Sequence, residues 1–217
     1  MGSEKCIRDS NTTYPDLPEY PTGKTNHSVT LLKTGETEYD WQTTSFTKPK
    51  KTDLVIYELL IRDFDALHSF DAVKERLDYL QDLGINAIEF MPLMEFDGNE
   101  SWGYNPSFHM ALDKYYGTKE AFKGLIDECH ARGIAIIVDV AFNHASGQNP
   151  YYRMWNTDNG NYGGQASADS PFFNETATHS YSVFNDFNHS QQATKDYVKR
   201  VTEYWIQEYK IDGFRWD

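Results

Sequence analysis

The stretch Ile134-Ala135-Ile136-Ile137-Val138-Asp139-Val140-Ala141-Phe142-Asn143-His144 sets an apolar, β-branched run directly ahead of a polar cluster. A short run of this kind is what a parallel strand shows when both of its faces are covered. A helical pattern leads into it. Thr118 is placed as an N-cap, Phe122, Leu125, Ile126 and Cys129 recur at helical spacing, and Gly133 falls where a C-terminal cap belongs. Working back along the chain, the same unit repeats. Leu54–Ile61 reads as a first strand. Ser69 then caps a helix bearing Phe70, Val73, Leu77, Leu80 and Leu83, Gly84 closes it, and Ile85–Pro92 reads as a second strand. Working forward, a long loop over 141–190 precedes a helix opened by Ser190, with Tyr197, Val198, Val201, Tyr204, Trp205 and Tyr209 on its inner stripe. Ile211–Trp216 is the fourth strand.

Strands alternating with crossover helices predict an α/β fold with a parallel sheet. The expectation is a partial TIM (β/α)8 barrel, about its first four strands, with an inserted loop subdomain over 141–190 after the third. Four strands fill residues 54–217, whereas a closed barrel needs about 250 residues or more. Residues 51–217 are thus read as the N-terminal half of such a barrel. Residues 1–50, with possible strands at Ser28–Leu32 and Glu38–Trp41, are read as a linker or the end of a preceding β-sandwich domain.

Composition narrows the function. Twenty Lys and Arg against thirty-three Asp and Glu give a formal charge of −13, which repels phosphate backbones and anionic lipid and argues against nucleic acid or a membrane as partner. Fifteen Tyr, thirteen Phe and five Trp provide more ring surface than a core of this size needs, so some rings are expected to face a ligand. With only Cys6 and Cys129, the fold cannot rest on a disulfide framework. No apolar stretch approaches membrane-spanning length, and Met1–Lys5 lacks the apolar run of a secretory signal. Localisation stays open.

Ligands of parallel α/β folds bind at the carboxyl ends of the strands. Four polar clusters fall there: Arg62-Asp63, Ser101 to Asn105, Asp139 to His144, and Arg215 to Asp217. Each has an ordinary structural reading as well. Asp139 could cap its loop, Arg215 and Asp217 could be a surface ion pair, and Tyr104 and Trp102 could be packing aromatics. Asn143 and Asp186 could be turn formers. His109, with no Cys or His at metal spacing, reads as a hydrogen-bonded loop residue, and Cys129 as core.

Taken together, the clusters resemble the α-amylase superfamily, glycoside hydrolase family 13, over about residues 53–217. Asp139-Val140-Ala141-Phe142-Asn143-His144 is similar to its first signature region and Gly213-Phe214-Arg215-Trp216-Asp217 to its second. Trp102-Gly103-Tyr104-Asn105-Pro106 resembles the segment after the second strand, and Asn185-Asp186-Phe187-Asn188 the motif of the inserted subdomain. The resemblance implies a retaining enzyme acting on α-glucan oligo- or polysaccharides, with Asp217 as nucleophile and Arg215 holding that carboxylate ionised and aimed. It implies that His144 donates to a sugar hydroxyl, that Tyr104 lies against the sugar's apolar face, and that Asp139 and Trp102 support the same pocket. Asn143 and Asp186 match positions that hold a structural calcium in many members, with a further ligand usually just beyond the nucleophile. The family's general acid, a Glu after the fifth strand, and its stabilising Asp after the seventh have no counterpart in residues 1–217, so this polypeptide alone is expected to be inactive. Two other readings are weighed: a non-catalytic relative kept for binding, and a nucleotide-binding doubly wound domain. The second finds neither GxGxxG nor GxxxxGK[ST] after any strand.

Overall fold

The computed structural model describes residues 6–7, 19–24, 29–30 and 34–217. Much of the N-terminal reading, Leu31 and Leu32 included, lies outside these residues. Two short strands there, β1 (Cys6–Ile7) and β2 (Val29–Thr30), pair antiparallel. Glu38–Trp41, expected as a strand, forms no strand pairing among the described residues. Its rings are taken up otherwise: Tyr39 meets Trp41 edge-on, and the Lys210 ammonium sits 4.4 Å above the Trp41 ring.

The first barrel strand, β3 (Ile56–Leu59), is shorter than its apolar run, because the chain coils at once into the one-turn helix α1 (Ile61–Phe64). The expected helix after it is two, α2 (Phe70–Glu75) and α3 (Leu77–Asp82), with the ladder broken at Arg76, whose guanidinium bonds Asp65 at 3.1 Å. Ser69 caps α2 as expected, its Oγ accepting from Ala72 N–H at 3.1 Å. After β4 (Ala87–Phe90) the anticipated loop contains an antiparallel hairpin, β5 (Met94–Phe96) with β6 (Pro106–Leu112). Its apolar residues bury on the sheet's rim, which alternation over so few residues could not announce. His109 therefore lies in a strand, though it is hydrogen-bonded as expected, to Ala141 O and Tyr197 Oη.

Helix α4 (Lys119–Ala131) begins at the Thr118 cap and buries Phe122, Leu125, Ile126 and Cys129 completely. Four such side chains contribute about 1.5–3 kcal/mol each for the larger ones, enough to hold the helix on the sheet. Strand β7 (Ala135–Val140) follows. Within 141–190, β8 (His144–Ala145) pairs with β9 (Asn185–Asp186), and α5 (Pro150–Met154) lies between them. This segment has its own core of Ala145, Tyr152, Ala166, Phe173 and Phe187, which is why it folds rather than trailing as a loop. Helix α6 (Gln192–Tyr209) is capped at Gln191, one residue later than expected, and the Ser190 hydroxyl donates to Asn188 instead. Val201, Trp205 and Tyr209 are its fully buried stripe. Strand β10 (Gly213–Trp216) completes the set.

The sheet runs β3-β4-β7-β10 with every neighbour parallel. Strand order that follows chain order is the wall of a (β/α)8 barrel; a doubly wound sheet reverses its order midway. Leu59, Ile88, Phe90, Ile136, Val138 and Val140 face the helices and are buried. Residues of opposite parity, Glu58, Glu89, Asp139 and Arg215, point to the other face. No helix among the described residues is long and apolar enough to cross a membrane.

Candidate active site

Parallel pairing sets the site. The register places Arg215 beside Asp139 on adjacent strands, so both side chains leave the same face at the carboxyl end. One residue past β10, the Asp217 N–H donates to Val140 O at 3.1 Å, which keeps its backbone in line with the sheet and its side chain on the Arg215 side.

Arg215 then bridges two carboxylates. Its Nη1 lies 3.3 Å from each oxygen of Asp139 and donates to Asp217 Oδ1. Asp139 is wholly buried, and its second partner is the Tyr104 hydroxyl, which donates to Oδ2. Burial raises the Asp139 pKa, while these two donors pull against that rise. The Tyr104 phenol is itself raised, by burial first and then by its bond to Asp139, so it stays a donor. Paired ion contacts raise the Arg215 guanidinium further above its ordinary value.

His144 joins through the backbone. Its Nε2 is 2.6 Å from Tyr104 O and must donate there, since a carbonyl only accepts. Burial lowers the imidazole below its usual range, so the neutral ring offers Nδ1 as an acceptor. That Nδ1 is buried, with no hydrogen-bond partner among the described residues.

Tyr104 owes its place to its neighbour. Gly103 has φ +97°, and a Cβ there would meet Pro92 O at 2.7 Å; only glycine permits that approach. The Ser101 hydroxyl accepts from Gly103 N–H at 3.0 Å and bonds the Asn105 side chain.

Asp217, Arg215, Asp139, Tyr104 and His144 are therefore one connected group. Trp102 is on the same loop but 60% exposed, and no hydrogen bond or ring contact joins it to the group among the described residues. Arg62 and Asp63 pair with each other at 2.7 Å, and Arg62 also donates to Glu100 O, making a separate cluster at the mouth. Asn143 and Asp186 are brought together along the backbone, Phe187 N–H donating to Asn143 O at 2.9 Å. The Asp186 carboxylate, however, is occupied by the Asn174 amide at 2.6 Å and His179 Nε2 at 3.0 Å. Among the described residues no three His, Cys, Asp or Glu gather as a metal site. A calcium at this pair would take the place of these two donors on the Asp186 carboxylate and draw its other oxygens from Asn143 and backbone carbonyls.

Two participants escaped the sequence reading. Glu89 stands two rows below the mouth on the Asp139 face, its pKa raised by burial, by Asp139 and by Glu58. The signal was an acid interrupting an apolar strand. Phe184 stacks on the His144 ring with centroids 5.4 Å apart; nothing in the sequence marked it.

Comparison with known proteins gives the same direction. The family model described as "Alpha amylase, catalytic domain" matches residues 63–217. Malto-oligosyltrehalose trehalohydrolase of Saccharolobus solfataricus is 32% identical over 98% of this chain and 35% of its own length. Isoamylase 1 of Arabidopsis thaliana is 30% identical over 86% of this chain and 28% of its own. The chain thus spans about a third of the curated relatives it matches. The crystal structure of a candidate α-amylase from Salmonella typhimurium superposes with a TM-score of 0.72 at 27% identity, covering 88% of this chain and 30% of that one. With the family profile laid over the very strands that deliver Tyr104, Asp139, His144, Arg215 and Asp217 to one rim, the chain belongs to the α-amylase family of glycoside hydrolases.

Proposed function

We propose that residues 51–217 form the nucleophile side of the active site of a retaining enzyme that cleaves or transfers α-glucosidic bonds in α-glucans. The observation that supports this best is the unbroken run of contacts from Asp217 through Arg215, Asp139 and Tyr104 to His144. It places a cation-bound carboxylate beside a set of groups suited to holding a sugar.

The chemistry follows from those groups. The Asp217 carboxylate attacks the anomeric carbon, forming a C–O ester bond as the glycosidic C–O bond breaks. Arg215 fixes the direction of attack, being bonded to the attacking carboxylate and anchored on buried Asp139. The leaving oxygen takes a proton from a second carboxyl roughly 5–5.5 Å from the nucleophile in retaining enzymes. Water then attacks the same carbon, releases Asp217, and restores the original configuration. Tyr104 supplies an aromatic surface held in place by Asp139, and His144, tied to the Tyr104 carbonyl, borders the bound unit.

The second carboxyl is not among these residues by resemblance, so a polypeptide of residues 1–217 alone lacks glycosidase activity. The substrate class rests on the names of the relatives, trehalohydrolase and isoamylase, which share α-glucan chemistry but not one linkage. The test is Asp217→Gly in the full-length protein. Hydrolysis of a maltooligosaccharide should be lost, and added azide should restore cleavage by attacking the vacated face, giving a β-glycosyl azide. Wild-type turnover in this variant without azide would refute the assignment.

A further inference from the structure

Asp212 stands at the foot of the strand that leads to Asp217, five residues or about 16 Å of extended chain away. Lys210 closes α6 in a left-handed turn at φ 53°, and Asp212 then makes the first contacts with β7. Its N–H donates to Ile136 O at 2.8 Å, and its carboxylate turns back to accept from Ile136 N–H, also at 2.8 Å. One residue thus holds both backbone groups of Ile136, which fixes β10 against sliding along β7. His130 Nε2, from the end of α4, donates to the same carboxylate oxygen at 2.9 Å, and the His130 and Asp212 side chains are only 6% and 8% exposed. The segment ahead of the barrel covers this pair. The Phe46 ring lies flat on the His130 imidazole, with centroids 4.2 Å and planes 6° apart, and Lys48 Nζ donates to Asp212 O at 3.1 Å. That segment is itself anchored on α4, where Asp127 accepts from the N–H groups of Gln42 and Thr43 at 2.8 and 2.7 Å. The upper part of β10 has no such support: from Arg215 onward it is exposed, and among the described residues it pairs with β7 alone. A slip of one residue would turn every side chain of a strand to the other face, taking Arg215 off Asp139 and Asp217 off the mouth.

We infer that Asp212, held by His130, is a positioning residue for the nucleophile: it locks the register of β10 on β7 so that Arg215 meets Asp139 and Asp217 reaches the mouth. This rests on the proposed function and adds to it the device that aims the carboxylate from the opposite end of the strand. Asp212 touches neither the sugar nor the reacting atoms, so it acts on turnover and not on affinity.

Asp212→Ala leaves the Ile136 N–H and His130 Nε2 unpaired, whereas Asp212→Asn keeps an oxygen that accepts from both. Each change is made in the full-length protein, and a fluorinated glucosyl fluoride is reacted to completion so that the bound glucosyl, counted by mass, gives the number of competent sites. Turnover of a linear maltooligosaccharide is then expressed per competent site, which separates misplaced nucleophiles from misfolded molecules. Asp212→Ala should lower kcat per site about tenfold to a hundredfold with KM within about threefold of the parent, and Asp212→Asn should recover most of the loss. Should Asp212→Ala fail to fold, His130→Leu, which leaves the Ile136 bond in place, should lower kcat per site between about threefold and tenfold. Fewer competent sites that each turn over at the parent rate, in either variant, would make the pair a stabilising contact only and overturn the inference. If the parent protein takes no glucosyl at Asp217, the proposed function fails and the inference falls with it.

Discussion

Replacing Arg215 by Met keeps much of the side-chain bulk and removes the charge that joins Asp139 to Asp217. In the native site the guanidinium lies 3.3 Å from both Asp139 oxygens and bonds Asp217 as well. Asp139 has a side chain only 1% exposed, so its remaining partner is the Tyr104 hydroxyl. A hydrogen bond to a charged group contributes about 1.5–3 kcal/mol. Here the lower end applies, because Arg215 is 43% exposed and water screens it. The larger effect is on aim, since a nucleophile misplaced by an ångström loses about a hundredfold in rate. Steady-state kinetics of the full-length enzyme on a maltooligosaccharide should show kcat/KM down by about a hundredfold or more, equivalent to about 2.7 kcal/mol, with most of the loss in kcat. The acid limb of the profile should also move to higher pH. Asp139 is already raised by burial, and losing the cation raises it further. Arg215→Lys should recover only part of the loss, since the single nitrogen that meets both carboxylates, Nη1, is held in place by the rigid guanidinium plane and a flexible, shorter lysine does not fix an ammonium there. A kcat/KM within threefold of wild type, with an unshifted acid limb, would refute the reasoning.

Two further predictions concern the loop that carries Tyr104. Gly103→Ala forces a Cβ onto Pro92 O at 2.7 Å and should lower kcat/KM at least about tenfold by moving Tyr104, measured beside Tyr104→Phe as the reference for loss of the Asp139 bond. The hairpin beneath holds Lys114, Glu95 and Asp113 with fully buried side chains, Lys114 Nζ lying 2.9 Å from Glu95 and 3.2 Å from Gly98 O. Burial, with Asp113 adding to it, pushes Glu95 up to about 8. A carboxyl raised on folding contributes stability below its unfolded pKa and loses it as pH rises through the folded value. Thermal unfolding followed from pH 6 to pH 9.5 should therefore show Tm falling through about pH 8 in the parent protein, and a flatter curve in Glu95→Gln. A parent Tm that does not change over that range would contradict it.

The strands and the rim residues were legible because their physics is local. An apolar run such as Ile134–Val138 must be covered on both faces, and the polar residues that end it must emerge at the mouth, so Asp139 and Arg215 could be placed without coordinates. Thr118 and Ser69 announced their helices through the same local capping. The β5–β6 hairpin was hidden because its burial depends on packing against the sheet's rim, not on its own alternation. The break at Arg76, whose backbone leaves the helical region, carries no Gly or Pro to announce it, and Glu38–Trp41 found helices for neighbours instead of a strand. In the site, His144 was identifiable but its free nitrogen was not, because the tautomer follows from the Tyr104 carbonyl. Phe184 was invisible for a similar reason: its contact with the site is a ring forty residues upstream.

The most direct test is to trap the intermediate. A fluorinated glucosyl fluoride that forms the covalent ester quickly and hydrolyses slowly is incubated with the full-length protein, which is then digested and mapped by mass spectrometry. The account predicts one glucosyl adduct, on the peptide containing Gly213–Asp217 and at the Asp217 carboxylate. An adduct on Asp139, on Glu89 or elsewhere, from a protein that is turning over α-glucan, would contradict it.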